Sequence, residues 1–148
     1  MVSTAQPAPS CTSIEKEIQA KVLTAPRVTP DHIASLIRSE VYFTGTDGAQ
    51  SPGAHVKSEY VEGERILAPL DLLTFCVLVL RNGFTVTGES ACASPENFDA
   101  EIGRKIAREN AVNKIWMLEG YLLKQRLHDD RSDVWENEDD CRRALEGQ

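Results

Sequence analysis

The chain has 148 residues, enough for one domain with a core of its own. Hydrophobic residues make up 41% and charged residues 26%, a globular composition, and no apolar run approaches the roughly 20 residues that a membrane span needs. The net charge of −7 argues against binding to long nucleic acids. The N-terminus lacks the basic and apolar regions of a secretory signal, and the four cysteines are far apart. We therefore expect free thiols in a reducing compartment.

The first third of the chain predicts two short helices. Residues 1–12 are small and polar and are expected to be disordered. Apolar residues then recur at helical spacing over residues 13–23, where Thr12 and Glu15 have the spacing of a capping box. Thr29 and Pro30 form a cap followed by proline, which predicts a second helix from Pro30 to about Val41.

A β-hairpin is the central predicted feature. Residues 44–71 are rich in glycine and proline and read as a long loop, with a weak strand at residues 59–67. The apolar run 72–80 and residues 84–90 flank Asn82-Gly83, a strong signal for a two-residue turn. Such a turn pairs Val79 with Val86. One face would then carry Phe75, Val77, Val79, Arg81, Phe84 and Val86.

The last predicted element is a long helix. Asp99 is a possible cap for a helix from Ala100 to about Leu127 that is apolar on several sides. Residues 128–148 contain eight acids and three bases and read as a solvated tail. The predicted fold is α+β, with an antiparallel hairpin or small sheet packed against this helix and short N-terminal helices. Residues 13–127 form the single ligand-binding domain, which is oligomeric because its apolar faces exceed what one small domain can cover.

No pattern of residues predicts catalysis. Gly88-Glu89-Ser90-Ala91-Cys92 lacks the closing glycine of a nucleophile elbow. The run His128-Asp129-Asp130 has no further histidine at metal-ligand spacing, and an exposed helix end explains it better. The chain is therefore interpreted as a binding protein, not an enzyme, with no metal and no cofactor.

The candidate binding residues lie on the hairpin and the last helix. Arg104 and Arg108 share a helix face, Lys105 lies beside them, and two guanidinium groups at this spacing can hold phosphate bidentately. Arg81 with Phe75 or Phe84 would add charge and a stacking platform. Spacing alone, however, favours salt bridges from Arg104 and Arg108 to Glu101 and Glu109. It likewise favours ordinary core positions for Phe75 and Phe84. Asn110 shares a face with Gly103 and Ile106 and is expected to fix the register of the helix or of a subunit.

The stretch Leu73 to Ala111, followed by Lys114-Ile-Trp-Met-Leu-Glu-Gly-Tyr-Leu-Leu, resembles a family of small tailed-phage proteins. Upstream, Val28-Thr-Pro-Asp-His-Ile and Tyr42-Phe43 also fit, so the resemblance covers about residues 28–127. The pattern is similar to the first type of Thoeris anti-defence protein. Those proteins are sponges that bind cyclic ADP-ribose isomers without cleaving them, and related members sequester cyclic oligonucleotides of CBASS immunity.

The resemblance implies an anti-defence sponge in the host bacterial cytoplasm. Its partners would be a cyclic ADP-ribose isomer or a cyclic oligonucleotide, and a homo-oligomer, either a dimer or a trimer of dimers, with pockets near subunit boundaries. Arg104 and Arg108 match the family's helical arginines, and an aromatic stacking residue is expected at Phe75 or Phe84. The alternative is a non-enzymatic phage protein that engages a protein partner through the apolar hairpin face and the acidic tail.

Overall fold

A computed structural model of the protein describes residues 11–21, 25–57 and 67–146, with side chains described for residues 13–21, 25–57 and 67–131. The chain divides into two compact units. The sheet unit is Ile33–Trp116, and the terminal unit combines Met1–His32 with Met117–Gln148. The disorder predicted for residues 1–12 falls almost entirely outside the described residues.

The sheet unit contains three antiparallel strands. These are β1 (Ile37–Thr44), β2 (Leu73–Leu80) and β3 (Thr85–Ala91), in the order β1-β2-β3. The predicted α+β class and the hairpin of β2 and β3 are therefore confirmed. The apolar strand β2 lies in the centre, where neighbours pair with both of its edges.

The predicted register of the hairpin is wrong by one residue. Leu78 pairs with Val86, and the loop has three residues, closed by the Leu80 amide donating to the Phe84 carbonyl at 2.8 Å. Gly83 has a φ of 86°, as the last position of such a loop requires. A one-residue shift exchanges the faces, so Val86 is buried beside Leu78 while Thr85 is exposed. The predicted register would have buried the threonine instead.

The second predicted helix ends early. Helix α2 covers Pro30–Leu36, with Thr29 accepting from the His32 amide at 3.2 Å, and residues 37–41 belong to β1. Apolar Val41 and Phe43 alternate with Glu40 and Tyr42, the period of a strand, and pairing with β2 overrides the helical spacing.

The predicted loop after β1 contains short helices. Helix α3 covers Gly45–Ala49 and begins with a capping box in which Thr44 and Asp47 exchange hydrogen bonds. A 3₁₀-helix, Ala68–Leu72, leads into β2. The weak strand predicted at residues 59–67 lies outside the described residues except for Leu67, which forms a turn.

One face of the sheet is covered by α4 (Ala100–Glu146), which begins where Asp99 accepts from the Glu101 and Ile102 amides at 2.8 and 2.9 Å. Small residues allow this close packing: a Cβ on Gly88 would lie 2.1 Å from the Ala107 carbonyl oxygen. The core between helix and sheet consists of the following buried side chains: Cys76, Leu78, Leu80, Val86, Ala107, Ala111 and Ile115.

The terminal unit contains α1 (Cys11–Ala20) and α4 residues 117–146. Arg27 donates to both carboxylate oxygens of Glu15 at 2.6 and 2.7 Å, and His32 contacts Glu119 at 2.8 Å. The predicted end of α4 near Leu127 is wrong, since the helix continues to Glu146. No proline or glycine interrupts residues 128–146, so nothing in the acidic segment stops the helix.

None of the helices in the described part of the chain is both long enough and apolar enough to cross a membrane.

Candidate functional site

The two helical arginines of the sequence prediction have different environments. Arg104 is exposed and has no hydrogen bond or ion pair with any residue that the structure describes. Arg108, one turn later, is half-buried and faces β1, where it binds the Glu40 carboxylate. Of the pair, Arg104 is therefore the guanidinium group with its hydrogen-bonding positions open.

A pocket of about 150 Å³ lies beside Arg104, between the first turn of α4 and the ends of β1 and β2. The residues that line it are Tyr42, Phe43, Thr44, Asp47, Thr74, Ala100 and Arg104. Thr74 is buried, and the Thr44 amide and hydroxyl lower the pKa of the Asp47 carboxyl. The volume suits a phosphoryl group, whereas pockets for whole drug-sized ligands have roughly 300–1,000 Å³.

Behind this pocket, an ion-pair network joins α4 to β1. Arg108 Nε donates to both Glu40 carboxylate oxygens at 3.0 and 3.2 Å, and Nη2 lies 2.9 Å from one of them. The Tyr42 hydroxyl donates to the same carboxylate at 2.6 Å. Arg108 and then Tyr42 hold the pKa of Glu40 below its ordinary value, while burial and Glu40 raise the pKa of Tyr42. Tyr42 is thereby fixed beside Arg104.

Lys105 is paired with an acid of its own helix. Its ammonium group lies 2.6 Å from Glu101, and both side chains are largely exposed. The alternative interpretation expected Arg104 and Arg108 to form salt bridges with Glu101 and Glu109. Among the described residues, Glu101 binds Lys105 instead, and Arg108 binds Glu40 on β1.

None of the hairpin residues of the prediction lines the Arg104 pocket. The Phe75 ring stacks on Phe43 with centroids 5.3 Å apart, on the sheet face opposite α4. Phe84 follows the hairpin loop and is 55% exposed. Arg81 belongs to the same loop, seven residues from Thr74, so about 23 Å of strand separates its backbone from the pocket. One protomer does not bring Arg81 and Arg104 to one small ligand.

Asn110 forms a hydrogen bond to the sheet. Such a bond is needed if this residue fixes the register of the helix, as the sequence predicts. Its Nδ2 donates to the Glu89 carbonyl at 2.8 Å, and Lys114 Nζ donates to the Thr87 carbonyl at 2.6 Å. The asparagine is exposed rather than buried. Both carbonyls belong to β3, an edge strand, and these bonds fix α4 along it.

Sequence reasoning missed Glu40 and Tyr42, because it extended a helix to about Val41 and predicted no strand over residues 37–44. Their signal was the alternation of Glu40 and Tyr42 with Val41 and Phe43.

Cys76 and Cys92 are free thiols. Cys76 is fully buried under α4, and burial raises the pKa of its thiol. The Cys92 thiol donates to the Ser94 carbonyl at 3.2 Å.

No curated protein and no solved structure matches this chain, but its family can be recognised. One family model matches residues 28–127, which include α2, the whole sheet and the sheet-facing part of α4. The chain therefore belongs to the phage protein (N4 Gp49/phage Sf6 gene 66) family.

Proposed function

We propose that this protein binds a small phosphorylated nucleotide signal and holds it without cleaving it. The observation that carries the proposal is Arg104, an open guanidinium group at the rim of a phosphoryl-sized pocket beside the fixed ring of Tyr42. A planar guanidinium group binds phosphate bidentately, and an aromatic ring offers a stacking surface for a base.

The proposed ligand is a cyclic ADP-ribose isomer or a cyclic oligonucleotide, sequestered in the host bacterial cytoplasm. Membership in a phage protein family and the resemblance to Thoeris anti-defence proteins support this choice. A pocket of about 150 Å³ takes only part of such a ligand. A dimer or a trimer of dimers, in which a neighbouring subunit supplies the remaining surface, fits the size of the ligand. Phe75, Phe84 and Lys105 stay candidate contacts in that assembly.

Within the proposed site, Arg108 has two roles. Nε and Nη2 bind Glu40 and so position Tyr42, while Nη1 takes no part in that bond. Nη1 is therefore the atom that reaches a second phosphate oxygen. Replacing Arg108 would weaken both the fold and ligand binding, whereas replacing Arg104 would weaken binding alone.

The Arg104→Gln variant tests the site. We expect it to bind a cyclic ADP-ribose isomer at least about tenfold more weakly, since a charge-assisted hydrogen bond contributes about 1.5–3 kcal/mol. Arg126→Gln is the matched control, because it removes one exposed positive charge that does not line the pocket. Calorimetry gives the affinities, and a thermal melt checks the fold. Equal affinities for the two variants would show that Arg104 does not hold the phosphate.

A second experiment tests the function itself. The protein is incubated with the nucleotide, then denatured, and the released material is separated by chromatography. Intact ligand recovered in stoichiometric amount supports a sponge, and products would show an enzyme.

The alternative function, a phage protein that engages a protein partner, rests on a different observation. On the sheet face opposite α4, apolar side chains of β1 and β2 remain accessible: Val41 is half exposed, and Val77 and Val79 are incompletely covered. The same incubation separates the two functions, because an interaction protein takes up none of the nucleotide.

A further inference from the structure

A second group of arginines lies at the other end of the sheet. Arg38 occupies an irregularity in β1, where the register with β2 shifts between Ile37 and Ser39. Arg81 is the first residue of the hairpin loop. Both line one pocket of about 380 Å³ together with Ile37.

The Arg81 guanidinium group is held in place by backbone carbonyls. Its amide donates to the Leu36 carbonyl at 2.9 Å, and its Nε donates to the Ser35 carbonyl. Nη1 and Nη2 bind none of the described residues. Nη1 and Nη2 of Arg81 are thus available to a ligand in an orientation that is already fixed. This reduces the entropy lost when a ligand binds.

Arg38 has no hydrogen bond or ion pair with any residue described by the structure. Strand irregularities of this kind redirect a side chain, and here the redirected side chain faces the same pocket as Arg81. The nearest acid along β1 is Glu40, whose carboxylate is occupied by Arg108 and Tyr42. No carboxylate is among the described residues that line the pocket.

Two cations in one pocket to which no described residue contributes a carboxylate repel each other, and a bound anion removes that repulsion. We infer that Arg38 and Arg81 form a second anion site, which binds a phosphoryl group through two guanidinium forks. Two planar forks match the oxygens of a phosphate or a pyrophosphate better than a single point charge would. The volume of the pocket is within the range of small-molecule sites and leaves room for a nucleoside diphosphate.

This site is separate from the Arg104 pocket. The two lie at opposite ends of β2, about 23 Å apart along the strand, which is too far for one small ligand to reach both within a protomer. The inference therefore does not depend on the proposed sponge function and can hold or fail independently of it.

The experiment titrates the full chain with inorganic pyrophosphate at constant ionic strength and follows the arginine Nε–H signals by NMR. We expect saturable shifts of the Arg38 and Arg81 signals. Arg38→Gln should weaken binding about tenfold or more, as the loss of a charge-assisted hydrogen bond requires. Arg126→Gln is the matched control, because it removes one exposed positive charge that has no partner among the described residues.

Parallel titrations with ADP and adenosine identify the source of the phosphoryl group. Tighter binding of ADP than of pyrophosphate would assign the site to a nucleotide, and equal binding would assign it to the free anion. Arg104→Gln should leave the shifts at Arg38 unchanged. Equal pyrophosphate affinity in Arg38→Gln and Arg126→Gln, or shifts confined to Arg104 and Arg108, would overturn the inference.

Discussion

At Gly88 the sheet and α4 approach each other closely. An added Cβ would lie 2.1 Å from the Ala107 carbonyl oxygen and 2.4 Å from the Ala111 amide nitrogen. These are backbone atoms of a helix, which cannot rotate away as the end of a flexible side chain can. The absence of a side chain at Gly88 therefore sets the distance between the two layers.

We predict that Gly88→Ala destabilises the protein by about 1–3 kcal/mol or more, the range for overpacking a filled core. Urea unfolding measures the change. Gly120→Ala is the matched control in α4, since a Cβ there has no neighbour within 4 Å. That variant should gain about 0.5–1 kcal/mol from helix propensity. Equal stabilities of the two variants would contradict the close packing at Gly88.

The Glu40–Arg108 ion pair makes a pH-dependent contribution to stability. The pKa of Glu40 is lower in the folded protein than in the unfolded chain, where a glutamate has a pKa of about 4.3. The pair therefore stabilises the fold above about pH 4.3, and this contribution is lost as the pH falls through the lower folded value.

We predict that Glu40→Gln lowers the free energy of unfolding by about 1 kcal/mol near neutral pH, a modest value because the pair is partly exposed to solvent. The difference from the wild type should shrink near pH 3. Urea unfolding at both pH values measures it. The exposed Lys105–Glu101 pair provides the comparison, and Glu101→Gln should change stability by less than about 0.5 kcal/mol at either pH. A Glu40→Gln effect that persists unchanged in acid would refute the electrostatic cause.

At the scale of the elements, the two edges of the sheet differ. The outward carbonyls of β3 at Thr87 and Glu89 accept hydrogen bonds from Lys114 and Asn110 of α4. These side chains occupy backbone groups that would otherwise be open to a strand of another chain. No side chain in the described part of α4 donates to the backbone of β1, but this strand carries the irregularity at Arg38 and the charged Arg38 and Glu40, which also discourage edge pairing.

We predict that replacing Asn110 and Lys114 together by alanine lowers stability by about 1 kcal/mol per lost hydrogen bond and promotes aggregation. Unfolding measurements and light scattering during prolonged incubation test the two effects. The control replaces Asn113 and Lys124, which are of the same types on the same helix but do not bind β3. If both double variants aggregate at the same rate, protection of the β3 edge is not the function of these bonds.

The sequence predicted the elements whose signals are local. The hairpin at Asn82-Gly83, the apolar strand before it, the Thr29 cap and the Asp99 cap each depend on a few neighbouring residues. All are present, although the hairpin loop has three residues instead of the predicted two. The errors lie where distant pairing decides. Residues 37–41 fit a helical stripe until β2 pairs with them, and the hairpin register depends on which side of β3 faces α4.

The candidate site shows the same limit. Arg104 and Arg108 were found because their spacing is visible in the helix, whereas Glu40 depends on the strand assignment that failed. No sequence pattern could show that Glu40 binds Arg108 and not Arg104, because 68 residues separate Glu40 from Arg108.

At the scale of the whole molecule, the sheet unit leaves apolar surface uncovered. Val41 is 50% exposed, and it lies beside Val77 on the face opposite α4. An apolar strand at the centre of a sheet is normally covered on both faces. We therefore expect that an oligomer, which the sequence predicts, would use this open face for its contact.

We predict that light scattering at micromolar concentration gives at least twice the mass of one chain, and that the Tm rises with protein concentration because association stabilises the folded state. Val41→Glu should lower the mass, since it introduces a charge on the open face beside Val77. Val41→Thr keeps the branched shape without the charge and should associate nearly as well as the wild type. Ile106→Glu, on the exposed side of α4, tests the other apolar surface. A monomer at every concentration would refute self-association. A lower mass in Ile106→Glu alone would show that the subunits contact each other through α4 and not through the sheet.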